Sequence, residues 1–415
     1  MTSEARPLAG AALAERFQAL DAFLGEHQAL WRPRPFHHLR LPWEADHREL
    51  ADWLRARSLE QAEQAHNRPE QLDAPAPFPP LAEASARLSE VGALPRQALA
   101  PRSPRLSVDV PGRKLQQIQA FASALAFHQT PRHWLDWCAG KGHLGRWLAQ
   151  DGAALTCLEW DASLCSAGAA LSQRLGLNAR HLQQDVMAAD ARRHLAPDTS
   201  VVALHACGDL HVRLLRLASA AGSHQLALAP CCYNRIDTPD YRPLSRPAQA
   251  SRLKLSRDDL ALPLSETVTA GARTRRQRDQ SMAWRLGFDL LQRQLRGSDD
   301  YLPTPSLEVA WLSRPFAEYC QHLAALKQLP LTGEQPWAQY EAAGWQRLAQ
   351  VRNLELVRAL FRRPLEIWLL LDRALFLQEQ GYEVRLGRFC DPPLTPRNLL
   401  LLAERRPVDN SVERT

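Results

Sequence analysis

The run Leu135-Asp-Trp-Cys-Ala-Gly-Lys-Gly-His-Leu-Gly145 places a carboxylate just ahead of three closely spaced glycines, Gly140, Gly142 and Gly145, in the pattern G-x-G-x-x-G. Glycines at a strand-to-helix turn let the backbone approach a ligand closely and open a helix whose first amides face it. Glu159 stands 17 residues after Gly142, where a carboxylate at a strand end can accept hydrogen bonds from both ribose hydroxyls of an adenosine. Asp185 and Val186 follow the next apolar run and suit an adenine amino group and ring. Nicotinamide dinucleotides and S-adenosylmethionine are both served by these features. Asp136 discriminates between them, because a carboxylate beside the turn repels a pyrophosphate but stabilises an ammonium group.

Further along, His205-Ala-Cys207-Gly-Asp209 and Pro230-Cys231-Cys232-Tyr233 end two more apolar runs. His205 or Asp209 could take a proton from an acceptor hydroxyl or nitrogen; the competing reading of His205 is packing at a cofactor rim. Cys207 with Cys231 or Cys232 could supply a thiolate that adds to a pyrimidine ring, or all three could be small buried side chains. Tyr233 and Asn234 could stack on a base or form a lid.

The segments DWCAGKGHLGR, LEWD, LHACGDL and APCCYN, in this order and spacing, resemble a class I methyltransferase family that includes eukaryotic methyltransferase-like proteins and a tRNA ribose 2′-O-methyltransferase. The resemblance covers about residues 112–235 and continues more weakly in IWLLLDRALFLQEQGYEV and DPPLTPRNLLLLAER. It implies S-adenosylmethionine as cofactor, with Asp136, Gly140, Lys141 and Gly142 at the methionine part, Glu159 at the ribose and Asp185 with Val186 at the adenine. It also implies that Lys114 meets the cofactor carboxylate. Cys138 stands where the general methyltransferase pattern has its first glycine, a substitution the family shares. RNA cytosine-5 methyltransferases use thiols at the ends of the fourth and fifth strands, whereas relatives with the paired cysteines methylate a ribose oxygen.

Elements that position these groups follow from periodicity. From Lys114 amphipathic helices alternate with apolar runs, HWLDWCAG, LTCLEWD, ARHLQQDVM, TSVVALHACGDL and HQLALAPCCYN, an arrangement that predicts a parallel sheet covered on both faces. YEVRLGRF and NLLLLAER read as a closing hairpin. The expected fold is α/β, a doubly wound seven-strand sheet with a helical N-terminal extension and an insertion before the hairpin. Composition divides the chain into residues 1–105 (helices over 8–66, then a Pro-rich linker), a core at 106–235, a basic insertion at 236–350, and a closing helix and hairpin at 351–415. One long helix from Val351, interrupted at Pro364, precedes the hairpin. Trp134, Trp137, Trp147 and Trp160 are read as packing.

The 415 residues carry a formal charge of +6, and residues 235–296 alone hold 13 Lys and Arg against 7 Asp and Glu. Such a segment could meet RNA; it could equally reflect a coding bias, since only four of the basic residues of the chain are Lys. The eight cysteines are expected to be free thiols, and the absence of zinc-finger spacing predicts no metal. No apolar leader or span is visible, so a cytoplasmic protein with no membrane contact is expected. Three function classes remain at this point: a methyltransferase acting on RNA, protein or a small molecule; a non-catalytic module that binds S-adenosylmethionine; and an NAD-dependent oxidoreductase.

Overall fold

A computed structural model describes residues 6–265 and 271–405. Its strands are β1 (Leu8–Ala9), β2 (His133–Trp137), β3 (Ala154–Glu159), β4 (Ala179–Gln183), β5 (Thr199–Leu204), β6 (Gln225–Ala229), β7 (Tyr382–Arg388) and β8 (Leu399–Arg405). They form one sheet in the order β1-β7-β8-β6-β5-β2-β3-β4. Strands β2 to β6 pair in parallel, while β8 runs antiparallel to both β6 and β7. Strands β6 and β8 are buried almost residue for residue, which is why they read as unbroken apolar runs and not as alternations.

The sheet thus has eight strands and mixed direction, not the seven expected. Leu8 and Ala9, expected to be helical, pair with Leu386 and Arg385 and cover the outer edge of β7, whose backbone groups would otherwise lack partners.

Contacts divide the chain into two compact units. The first takes Met1–Gly25, Leu88–Leu264 and Leu365–Thr415 and contains the whole sheet. Its core includes Phe121, Trp134, Trp147, Phe389 and Leu400. The second takes Glu26–Arg87 and Ser265–Pro364. These segments differ from the division at 105, 235 and 350, because composition marks where regular structure pauses and not which segments share a core.

Regular structure in the second unit is helical among the described residues. Helix Ala272–Arg296 crosses helix Trp337–Ala359 at Gly287 and Gly344. A Cβ on Gly344 would lie 2.3 Å from the Ala283 carbonyl and 2.8 Å from the Gly287 amide, so the backbones are in contact there. Trp284, Phe288 and Leu291 pack with Phe316, Tyr319 and Leu323 of helix Phe316–Leu326. The Pro-rich stretch expected as a linker contains helix Phe78–Ser89, with Pro79 and Pro80 in the first turn, where their missing N–H groups cost nothing.

The expected long helix begins earlier, at Trp337, and ends at Ala359; a second starts at Arg362. Pro364 cannot donate to the carbonyl of Leu360, and the hydroxyl of Ser85 donates to that oxygen instead. No helix among the described residues is long and apolar enough to cross a membrane.

Candidate functional site

The strand order reverses at β2, with β3 and β4 to one side and β5 and β6 to the other, and a ligand crevice forms outside the carboxyl ends at such a point. The expected residues all lie at these ends or on helices just before or after them, within the first unit. Cys138, Gly140 and Gly142 follow β2 with left-handed φ of 58°, 57° and 72°. That conformation is ordinary for glycine and costly for a side chain, so Cys138 is held where the general pattern has glycine.

The three glycines have different duties. A Cβ on Gly142 would come within 2.8 Å of His181 and Cys157, and one on Gly145 would strike Leu155 at 2.6 Å, so both allow close packing of the turn and its helix. Gly140 has nothing within 4 Å of that position and faces open space.

Asp136, only 3% exposed, accepts a hydrogen bond from the Gly145 amide through Oδ2 at 2.9 Å. Burial drives its carboxyl up to about 7, against the opposing pull of the Gly145 amide and the charges of Lys114 and Arg146. Lys114, exposed on helix Gly112–Ser123, is therefore placed near the carboxylate by the helix that precedes β2. Glu159 Oε2 accepts from the Gly140 amide at 2.8 Å, and Oε1 from the amides of Trp160 and Asp161. It clamps the glycine turn, and its remaining acceptor capacity is what a ribose would use. Asp185 bonds the Met187 amide at 2.9 Å, and Val186 is buried beneath. Lys141 carries no described side-chain bond, and its carbonyl accepts from Arg146.

Trp134, Trp137 and Trp147 are buried as expected, but Trp160 is 73% exposed. Directly after Glu159, it stands with the half-exposed Met187 beside two neighbouring strand ends, so packing does not account for it. Its position next to the ribose-type carboxylate was the only sequence signal.

On the other side of the reversal, His205 is left-handed (φ 68°) and its Nε2 lies 3.0 Å from Gln117 Oε1. Burial, with Lys114 and Arg397 nearby, lowers its basicity, so it is neutral at pH 7. A neutral imidazole that donates from Nε2 to the amide keeps its lone pair on Nδ1. Asp209, the first residue of helix Asp209–Ala221, accepts from the Asp237 amide at 2.8 Å and holds the loop after β6. It lines a groove with Met187, Arg213, Arg216 and Arg242, three guanidiniums that spacing alone did not group.

All eight cysteines are free. Cys207, Cys231 and Cys232, from the two strand ends where the sequence had grouped them, bring their sulfurs within 4.8 Å of one another. Hydrogen bonds from the Cys231 and Cys232 thiols pull Cys207 down to about 6 against its burial, while Cys231 is pushed up. Cys138 is pushed up to about 12 by burial and the surrounding carboxylates.

Tyr233 neither stacks outward nor forms a lid. It is buried against His211 (6.1 Å, edge-on) and under the Arg373 guanidinium at 5.3 Å. Arg373 in turn donates to His211 Nε2 at 2.8 Å. The basic segment is also partly internal: Arg293 and Arg347 share the buried carboxylate of Asp289, and Arg285 lies over Phe36.

Residues 113–239 match a family model described as a methyltransferase domain. The match covers less than a third of the chain, spans β2 to β6 and includes every site residue expected from the sequence, while Arg242 of the groove lies beyond it. It supports a methyltransferase domain over this segment.

Proposed function

We propose that the chain is an S-adenosylmethionine-dependent methyltransferase with RNA as acceptor. The observation that carries the cofactor is the set of three carboxylates, Asp136, Glu159 and Asp185, at the ends of the adjacent parallel strands β2, β3 and β4 around a left-handed turn. The donor set fits: a buried carboxyl whose ionisation is opposed by desolvation is answered by an ammonium, and two further acids suit ribose hydroxyls and an adenine amine. A pyrophosphate would meet the same three acids unfavourably.

Bound there, S-adenosylmethionine supplies a methyl group on a cationic sulfonium. Asp136 and Lys114 would hold the two charged ends of the methionine part, Glu159 and Gly140 the ribose, and Trp160 and Met187 the faces of the adenine. His205, neutral and fixed by Gln117, would accept the proton of an acceptor hydroxyl, and in-line placement would do most of the remaining work. RNA is supported by the resemblance to a ribose methyltransferase and by the three arginines beside Asp209, which suit backbone phosphates.

Calorimetry with S-adenosylhomocysteine and with NADH tests the cofactor: binding of the former alone is expected, and binding of NADH alone rejects the reading. Tritium transfer from labelled cofactor into total RNA or protein of a strain lacking the gene tests the acceptor. Label in RNA that disappears with Asp136→Ala is expected. Label only in protein overturns the acceptor, and cofactor binding without label in any fraction identifies a non-catalytic module.

A further inference from the structure

We propose that Cys207, Cys231 and Cys232 form a zinc site, a role that does not depend on methyl transfer. The pairing of Leu204 with Ala229 sets the ends of β5 and β6 side by side, so that the residues that follow each strand meet. All three sulfurs lie within 4.8 Å of one another, and those of Cys207 and Cys231 are 3.0 Å apart. Thiolates at about 2.3 Å from a tetrahedral zinc ion stand roughly 3.8 Å from each other, inside that range.

The backbone holds this arrangement in advance. His205 donates its amide to the Ala229 carbonyl at 2.9 Å, and left-handed turns at His205 and Gly208 (φ 68° and 53°) fold the β5 loop onto the β6 loop. Contact between the loops is so close that a Cβ on Gly208 would lie 1.8 Å from the Arg235 carbonyl. The Cys207 and Cys231 thiols hydrogen-bond to each other at 3.0 Å and, weakly at 3.4 Å each, to the same His205 carbonyl.

Three soft ligands select zinc over magnesium or calcium, and each thiol that ligates releases its proton to solvent. Three protein ligands also leave one tetrahedral position for an exogenous ligand, the arrangement of zinc sites that meet water or substrate. That position would lie at the ends of β5 and β6, beside the groove expected to receive the acceptor.

The test uses the full chain, reduced with a phosphine, stripped by chelator and titrated with Cd2+ as a spectroscopic stand-in. One equivalent per chain is expected, with thiolate-to-cadmium charge-transfer absorbance that Zn2+ displaces. Cys231→Ser should weaken uptake by at least tenfold and Cys165→Ser should leave it unchanged. Should the Cys231→Ser chain fail to fold, the unmodified chain still decides: Zn2+ should slow maleimide labelling of Cys207 and Cys232 and leave Cys138 and Cys165 unaffected. The proposal is overturned by absence of stoichiometric uptake in the reduced chain, by equal uptake in the triple Cys→Ser variant, or by protection that ignores this cluster. A Cys207–Cys231 disulfide whose reduction yields no metal-binding chain overturns it in favour of a redox pair.

Discussion

Asp136 is almost fully enclosed, yet its two nearest cationic neighbours, Lys114 and Arg146, do not bring its carboxyl back to the ordinary range. Below about pH 4 the group is protonated in folded and unfolded chain alike and contributes nothing. As pH rises from about 4 to about 7 the unfolded chain ionises first, so the folded state carries a growing penalty that levels off above about 7. A ligand ammonium removes that penalty because it prefers the ionised acid. Affinity for S-adenosylhomocysteine should therefore rise as pH climbs through about 7 and fall by up to about tenfold per unit below it. Calorimetry across this range reads the slope directly; Asp136→Asn should bind weakly with the slope gone, and a flat wild-type profile would show that the ammonium does not reach Asp136. His205 serves a different step. His205→Gln should lower kcat by about 10²–10⁴-fold with cofactor affinity unchanged, and a matched loss of both would assign His205 to the cofactor rim.

At the scale of elements, the helical unit depends on one buried carboxylate. Asp289, 2% exposed, accepts from Arg293 at 2.9 Å and Arg347 at 2.6 Å, tying helix Ala272–Arg296 to helix Trp337–Ala359. Replacement by Ala leaves two buried guanidiniums facing each other and should cost about 3–5 kcal/mol. Hydrogen exchange should show loss of protection in both helices while β2 to β6 keep theirs; unchanged protection would mean that water compensates the charges. Neither the pair nor the Gly287–Gly344 crossing was legible in the sequence, since each joins residues more than fifty positions apart. The alternation of helix and strand was legible, because parallel strands covered on both faces keep apolar runs that end abruptly at polar loops. The same reasoning found the acids at three strand ends. It missed β1, too short to show a period, and helix Phe316–Leu326, although Phe316, Tyr319, Cys320 and Leu323 do follow helical spacing. Trp160 was misread because aromatic residues beside strands are more often buried.

Across the whole molecule, function and foldability draw on different residues. Every site residue expected from the sequence lies between 114 and 234, inside the segment matched to a methyltransferase domain; that segment supplies much of the first unit's core but none of the second unit. In the first unit Asp21 accepts from the Trp368 indole and the Ser251 hydroxyl, and Phe17 packs on Trp368 at 5.2 Å. In the second, helices Arg48–Ala56 and Leu59–Ala65 pack on helix Trp337–Ala359, and Asn353 bonds the carbonyls of Arg57 and Ser58. Buried Trp31, Trp43, Leu50, Leu54 and Phe78 all come from the N-terminal segment of that unit. At about 1.5–3 kcal/mol for each enclosed side chain, five of them together are comparable to the net stability of about 5–15 kcal/mol typical of a folded protein. A chain that begins at residue 106 keeps all the chemistry and should nevertheless fail to fold. Soluble yield and hydrogen exchange over Ala272–Arg296 measure this, and co-expression of residues 1–105 as a separate polypeptide should restore protection there. Full protection of that helix in the shortened chain alone would show that the N-terminal helices only cover a core already complete without them.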